Sequence, residues 1–310
     1  MQTTNHLLMV RPVRFAFNEE TAGNNAFQQQ CGSAEEAMAI QRQAVDEFDS
    51  YVALLRENGI TVDVLQDTAE PFTPDSIFPN NCFSTHLDAD AGSGKRKRTL
   101  VVYPMFAANR RQERAKLFTV IEKTDFDRVV DLTAYEQKDA FLEGTGSLVL
   151  DREHRMAYAC LSPRTNREVM AEWAEKMNYH YFLFNSVDMN GVPVYHTNVV
   201  MHVGTRFAIV CLESVADPEE REQLRKHLEE NGKQIIAISL KQMNRFAGNM
   251  LELRNPKGEK LLVMSSTACH SLTKEQTALL ETDVRILAPH IHVIENAGGG
   301  SARCMLAEIF

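Results

Sequence analysis

The chain has 310 residues, 44% of them hydrophobic, and its 33 Lys and Arg against 42 Asp and Glu leave a net charge of −9. That length and apolar content build a packed core. The acidic balance argues against nucleic acid or an anionic membrane surface as partner and is compatible with a cationic substrate. The opening "MQTTNHLLMVRPVRF" has no basic segment leading into a long apolar one, and nowhere do 18 apolar residues run together, so neither an export signal nor a membrane span is expected.

In chain order, "LLMVRPVRF" reads as a strand. Ser33-x-x-Glu36 then opens a helix in the capping-box manner, a short polar side chain accepting from an otherwise unpaired N–H. Its apolar positions Ile40, Ala44, Phe48, Val52 and Leu55 fall on one face, and "ITVDVLQ" follows as a strand. The same phrase recurs. "NNCFSTH" and "TLVVYPMF" precede a cap at Asn109-x-x-Gln112, and "RVVDL" follows it. "SLVLD" and "MAYACLS" precede Thr165-x-x-Glu168, followed by "YHYFLFN". "NVVMHV" and "FAIVCLE" precede Asp217-x-x-Glu220, with Pro218 first in the helix and Gly232 as its stop, then "QIIAISL". "NMLELRN" and "KLLVMSS" precede Thr273-x-x-Gln276, then "VRILAPHIHVIEN". Strand-strand-helix-strand is thus written five times at intervals of roughly 50–75 residues, the first copy lacking one strand. Terminal units with polar outer faces are not evident. The reading is one α/β domain over residues 1–310, a closed five-unit pseudo-symmetric α/β propeller of ββαβ units, with the unit openings "PDSIFPNN", "FLEGTGS", "VYHTNV" and "FAGNML" converging on its axis.

Cys31, Cys82, Cys160, Cys211, Cys269 and Cys304 are scattered with no C-x-x-C pair, which reads as reduced thiols in a cytoplasmic protein. Cys160 and Cys211 lie in apolar strand-like runs and are expected to be packing. Cys304 follows Gly298-Gly299-Gly300, where backbone can approach a ligand closely, and precedes an apolar tail able to hold the terminus down. It is the candidate nucleophile, and as a thiol it needs a base or positive neighbour. His196, Glu143 and Asp75 each open a unit: a histidine for proton transfer, a carboxylate to orient it, and a carboxylate for a cation. His202, inside a strand run, reads as structural, as does Cys269-His270 beside a cap. His290 and His292 alternate on one strand face without a third ligand, so no metal is expected, nor any cofactor. Lys95-Arg96-Lys97-Arg98 reads as a solvated hairpin tip.

With these residues in hand, the chain resembles the guanidine-modifying (pentein) superfamily of arginine deiminases, dimethylarginine hydrolases and amidinotransferases. The branch it most resembles is that of amidinotransferase-like citrulline-utilisation hydrolases. The motifs are "RPVRFAFN", "PDSIFPNN", "LEGTGSLVLDR", "VYHTNVVM", "FAGNML" and "GGGSARCMLAEI", in order along nearly the whole chain. The resemblance implies a five-unit ββαβ propeller. It also implies Cys304 as nucleophile, His196 as general acid/base and Glu143 as its orienting acid. Substrate binding would fall to Asp75, Asn198, Asn249 and Arg303. Asn198 stands where deiminases carry a second aspartate, which tilts the expected substrate from arginine towards a neutral ureido acid such as citrulline. Glu143 is expected within hydrogen-bond reach of His196, favouring its imidazolium form. The expected partner is a small guanidino or ureido compound, with a homo-oligomer possible. An amidinotransferase with an amine acceptor and a non-enzymatic binding protein of the same fold are the alternative readings.

Overall fold

The computed structural model describes residues 1–310 apart from 26, 30, 31, 90–95 and 123. Among the described residues the architecture rests on five three-stranded sheets. The strands are β1 (His6–Arg11), β2 (Thr61–Gln66), β3 (Phe83–Ala89), β4 (Arg96–Val102), β5 (Arg128–Asp131), β6 (Val149–Asp151), β7 (Met156–Cys160), β8 (His180–Phe184), β9 (Met201–Val203), β10 (Phe207–Val210), β11 (Gln234–Ala237), β12 (Leu251–Arg254), β13 (Lys260–Val263), β14 (Arg285–Leu287) and β15 (Ala307–Glu308). Four sheets share one plan. Two strands pair antiparallel, as Phe83↔Val102 and Val149↔Tyr158, and a helix then carries the chain to a third strand parallel to the second, as Val101↔Val130 and Ala208↔Ile235. Parallel pairing requires such a crossover.

The remaining sheet joins the two ends of the chain. β15 lies antiparallel to β1 (Leu7↔Glu308), and β1 is parallel to β2 (His6↔Thr61). The strand missing ahead of the first helix is therefore supplied from residues 307–308, and all five units become alike. The first strands of the units turn towards one axis. Gln2 Nε2 donates to the carbonyls of Leu150 in β6 and Val203 in β9, and Thr85 of β3 donates to the carbonyl of Glu308 in β15.

Three of the five expected caps stand where the capping pattern puts them. Ser33 accepts from Glu36 N at the head of helix Ala34–Glu57, which buries Ala44, Phe48, Tyr51, Val52 and Leu55. Asp217 caps Pro218–Glu230, and Thr273 and Gln276 form a reciprocal capping box on Lys274–Leu280. Two differ. Asn166, not Thr165, caps Arg167–Met177, because the Thr165 hydroxyl is already bonded to Ser147 Oγ. Asn109 lies inside the short helix Ala108–Arg111 and donates to Asn18 Oδ1 at 2.7 Å, while the following helix, Glu113–Ile121, starts without a side-chain cap. The run "HIHVIEN" is also corrected. Only Arg285–Leu287 is strand, and His292–Gly298 is helical, so His290 and His292 share no strand face. Arg96–Arg98 begin β4 and not a hairpin tip; Lys95, like Cys31, lies outside the described residues. Among the described residues no helix is long and apolar enough to cross a membrane.

Candidate active site

Four of the units feed their first strand through a tight turn: Pro79–Asn81 before β3, Gly144–Ser147 before β6, Thr197–Val200 before β9, Ala302–Met305 before β15. Hydrogen bonds tie neighbouring turns together. Thr145 Oγ1 donates to the Asn80 carbonyl, Thr197 Oγ1 to the Ser147 carbonyl at 2.6 Å, Asn249 Nδ2 to the Asn198 carbonyl at 3.0 Å, and Arg303 N to Asn249 Oδ1 at 2.9 Å. The unit openings therefore meet, and the side chains they carry converge.

Asp75, His196 and Cys304 line one cavity together with Asn25, Phe78, Asn81, Arg110, Arg164, Tyr195 and the glycines 298–300. Glu143, wholly buried, accepts a 2.8 Å bond on Oε2 from His196 Nε2, and its Oε1 takes the Phe106 N–H at 2.9 Å. Burial alone would raise the Glu143 carboxyl. Arg164, 3.6 Å away, and the His196 bond outweigh it and hold the carboxyl at about 2. For His196 burial is the largest effect and Glu143 offsets only part of it, leaving the imidazole at about 4. The expected bond is present, but the resting histidine is neutral beside an ionised glutamate: burial disfavours the imidazolium by more than Glu143 restores, and Arg164 adds to the same direction.

Cys304 is buried, and two amide donors reach its sulfur: Asn249 Nδ2 at 3.3 Å and Asn198 Nδ2 at 3.4 Å. N–H donors aimed at a thiolate stabilise its charge. Asn198 and Asn249 thus bear on the Cys304 sulfur and are not among the residues lining the cavity. Arg303 is displaced further from its expected place. Its guanidinium donates to the Leu306 carbonyl and Glu308 Oε2, turned away from the cavity, so it braces the turn that carries Cys304. Asp75 accepts from Asn18 Nδ2 at 2.7 Å on Oδ2 and keeps a buried Oδ1 with no partner; burial raises its carboxyl. Cys160 and Cys211 are fully buried, and burial pushes both thiols up to about 11.

Four contributors escaped the sequence reading. Asn81, inside the quoted "PDSIFPNN", accepts from Arg110 Nη1 on Oδ1 at 2.8 Å and leaves a buried Nδ2 unpartnered. Arg110 is paired with Glu113 at 2.9 Å, and Arg164 stacks on Tyr195 at 4.8 Å. The Tyr195 hydroxyl donates to the Gly299 carbonyl at 2.6 Å and pins the glycine turn. That turn is glycine by necessity: Cβ atoms at 298 and 300 would sit 2.8 and 2.9 Å from the Phe78 ring, and Gly299 has φ +65. Asn81 and Tyr195 carried a signal, their place in the unit openings "PDSIFPNN" and "VYHTNV". The arginines come from a helix start and a loop with no marking pattern.

The cavity measures about 10 Å³, smaller than an amino acid. Three residues ahead of the long first helix bind the residues that line it: Gln28 Nε2 donates to the Gly298 carbonyl, Arg164 Nε donates to Asn24 Oδ1, and Phe27 packs on Tyr195 and Phe246.

Five ββαβ units whose openings gather a cysteine, a histidine and a glutamate, with the family match that follows, define the class, the pentein guanidine-modifying superfamily. Residues 11–310 match the family described as N,N dimethylarginine dimethylhydrolase, eukaryotic, and the chain belongs to that family. Among solved structures the fold is shared with ArgZ, an arginine dihydrolase from the ornithine–ammonia cycle in cyanobacteria. In its apo form the TM-score is 0.70 at 15% identity, over 98% of this chain and 39% of that one. The chain thus spans about two fifths of full-length ArgZ. The N-terminal domain of an ArgZ variant, covalently bound to a reaction intermediate, gives 0.72 at 16% identity over 98% and 97%. The dimethylarginine hydrolase of Pseudomonas aeruginosa, a mutant complexed with citrulline, gives 0.67 at 13% identity over the whole of both chains. No curated protein sequence matches the chain.

Proposed function

We propose that this protein hydrolyses a C–N bond at the planar carbon of a guanidino or ureido amino acid through a covalent adduct on Cys304. The observation that carries the reading is one small cavity lined by Cys304, His196 and Asp75, with ionised Glu143 bonded behind His196. Neutral His196 takes the thiol proton, and Glu143 stabilises the imidazolium. The thiolate, met by the Asn249 and Asn198 N–H groups, adds to the carbon. The imidazolium returns its proton to the departing amine as the C–N bond breaks, since an unprotonated amide ion is a poor leaving group. His196 then draws a proton from water, which releases the thiouronium or thiocarbamate adduct. Substrate binding requires the cavity to widen, because about 10 Å³ does not hold an amino acid.

Within this class the cavity favours a ureido group. It offers one free acceptor, Asp75 Oδ1, and one free donor, Asn81 Nδ2, whose orientation Arg110 holds. A guanidinium carries donors only and would leave Asn81 Nδ2 unmet. A ureido oxygen accepts from it while the ureido NH₂ meets Asp75.

Two measurements test this. Cys304→Ala should lower turnover by well over a hundredfold with the fold retained, and mass spectrometry of the wild type should find the adduct on Cys304. Variant activity above about one hundredth rules the covalent route out. Asn81→Asp should move kcat/KM from citrulline towards arginine or methylated arginine by roughly ten- to a hundredfold. A wild type already faster on the guanidino compounds overturns the ureido preference.

A further inference from the structure

On the axis behind Cys304 lies a second cavity, of about 30 Å³, whose lining includes Asn198, His202, Arg152, Arg303, Glu252 and Glu308. That volume admits about two waters. Three of these residues keep a buried polar atom without a hydrogen-bond partner: Asn198 Oδ1, His202 Nε2 and Arg152 Nη2. Arg152 Nη2 has only an ion-pair contact with Glu308 Oε2, at 3.5 Å.

The two amides at the sulfur differ in how they are held. Asn249 is locked by protein atoms at both ends, Oδ1 by the Arg303 N–H and Nδ2 by the Asn198 carbonyl. Asn198 has the sulfur at its nitrogen end and no protein donor at its oxygen end. Its direction matters, since the N–H end stabilises a thiolate and the oxygen end repels it. A buried amide oxygen without a donor is costly, so something must supply one.

We propose that ordered water in this cavity donates to Asn198 Oδ1 and to His202 Nε2, so that His202 acts as a positioning residue for the nucleophile. The proposal rests on the reading of Cys304 as the nucleophile. A water molecule has two hydrogens for these two acceptors, and its lone pairs face the Arg152 guanidinium. His202 can accept because burial keeps it neutral, with the nearby cations Arg303 and Lys233 acting in the same direction. Glu252 and Glu308 are the anions on the same wall; Glu308 is engaged by Arg303, and Glu252 by Thr205. With its oxygen held from behind, Asn198 presents Nδ2 to sulfur.

The test is the pH dependence of Cys304 alkylation by iodoacetamide, located by mass spectrometry, in wild type, His202→Phe and His202→Gln. His202→Phe should raise the apparent thiol pKa by about one unit and slow alkylation at pH 7 about tenfold, the loss of one hydrogen bond to a charged group. His202→Gln, which can accept from the same water, should restore most of the rate. Equal pKa values in all three folded proteins overturn the proposal. So does a glutamine variant no better than phenylalanine, which marks a packing effect. Should His202→Phe not fold, a high-resolution crystal structure of the wild type decides. A water within hydrogen-bond distance of both Asn198 Oδ1 and His202 Nε2 is required, and a dry cavity overturns the proposal. Failure of the hydrolase reading appears separately, as turnover surviving in Cys304→Ala.

Discussion

Glu143 illustrates how a single side chain acquires its role from its neighbours. It sits at a unit opening, wholly buried, between Arg164 and His196. Arg164 keeps it ionised, and burial keeps His196 neutral, so the pair at rest holds one proton on the imidazole Nε2 and a negative charge on the carboxylate. In the proposed reaction the charge acts when His196 takes a second proton from Cys304. Glu143→Gln keeps the size and an acceptor oxygen but removes that charge. The expected result is a fall in kcat of roughly a hundred- to ten-thousandfold with KM little changed. An unaltered kcat places the general base elsewhere. The sequence marked His196, Glu143 and Asp75 by their positions at unit openings, and Cys304 by the glycines before it and the apolar tail after it. It did not mark which way Asn198 and Arg303 face, because that depends on partners more than a hundred residues away in the first case and on the local turn in the second.

At the level of elements, the site depends on how closely the turns approach one another. Gly146, in the turn Gly144–Ser147, lies against two of the residues that line the cavity. A Cβ there would lie 2.3 Å from Asn81 Nδ2 and 2.7 Å from His196 Nδ1, both below any tolerable contact. Gly146→Ala should therefore displace the histidine or the asparagine while leaving the sheets intact. Circular dichroism should be unchanged and kcat/KM should fall about a hundredfold, as misplacement by an ångström typically costs. Near-wild-type activity shows that the turn can yield. The caps at Ser33, Asp217 and Thr273 were legible because a cap is a bond between residues two or three apart. Thr165 and Asn109 were misread because each hydroxyl or amide found a tertiary partner instead. "HIHVIEN" was misread because alternating apolar residues over so short a run do not separate strand from helix.

Across the whole molecule, the buried histidines couple stability to pH. Among the described residues His86, His196 and His202 are buried and held below their ordinary range, chiefly by burial. For His202 the folded value is about 3 against 6.5 for the free side chain. Between these values the unfolded chain binds the proton and the folded one does not. Its contribution is thus fully present above pH 6.5 and lost as the pH falls. Asp75, raised by burial, pulls the other way, so the informative quantity is a difference. Urea unfolding of wild type and His202→Gln from pH 7 to 4.5 should show the wild type losing ground by about 1.4 kcal/mol per pH unit below about pH 6.5. Parallel stability curves for the two proteins would mean that His202 is protonated in the folded state.

By itself the sequence determined the repeat, because strand alternation, helical spacing and capping are written by residues close together in the chain. It also determined which side chains open each unit, and the motifs that carry the resemblance to the pentein superfamily. The tertiary structure decided the rest. β15 from residues 307–308 completes the first sheet across some 300 residues, a pairing no local pattern encodes. Desolvation makes His196 neutral, and the depth of a group is a property of everything packed around it. The free acceptor on Asp75 and the free donor on Asn81 exist only because Asn18 and Arg110 take the other ends of those side chains.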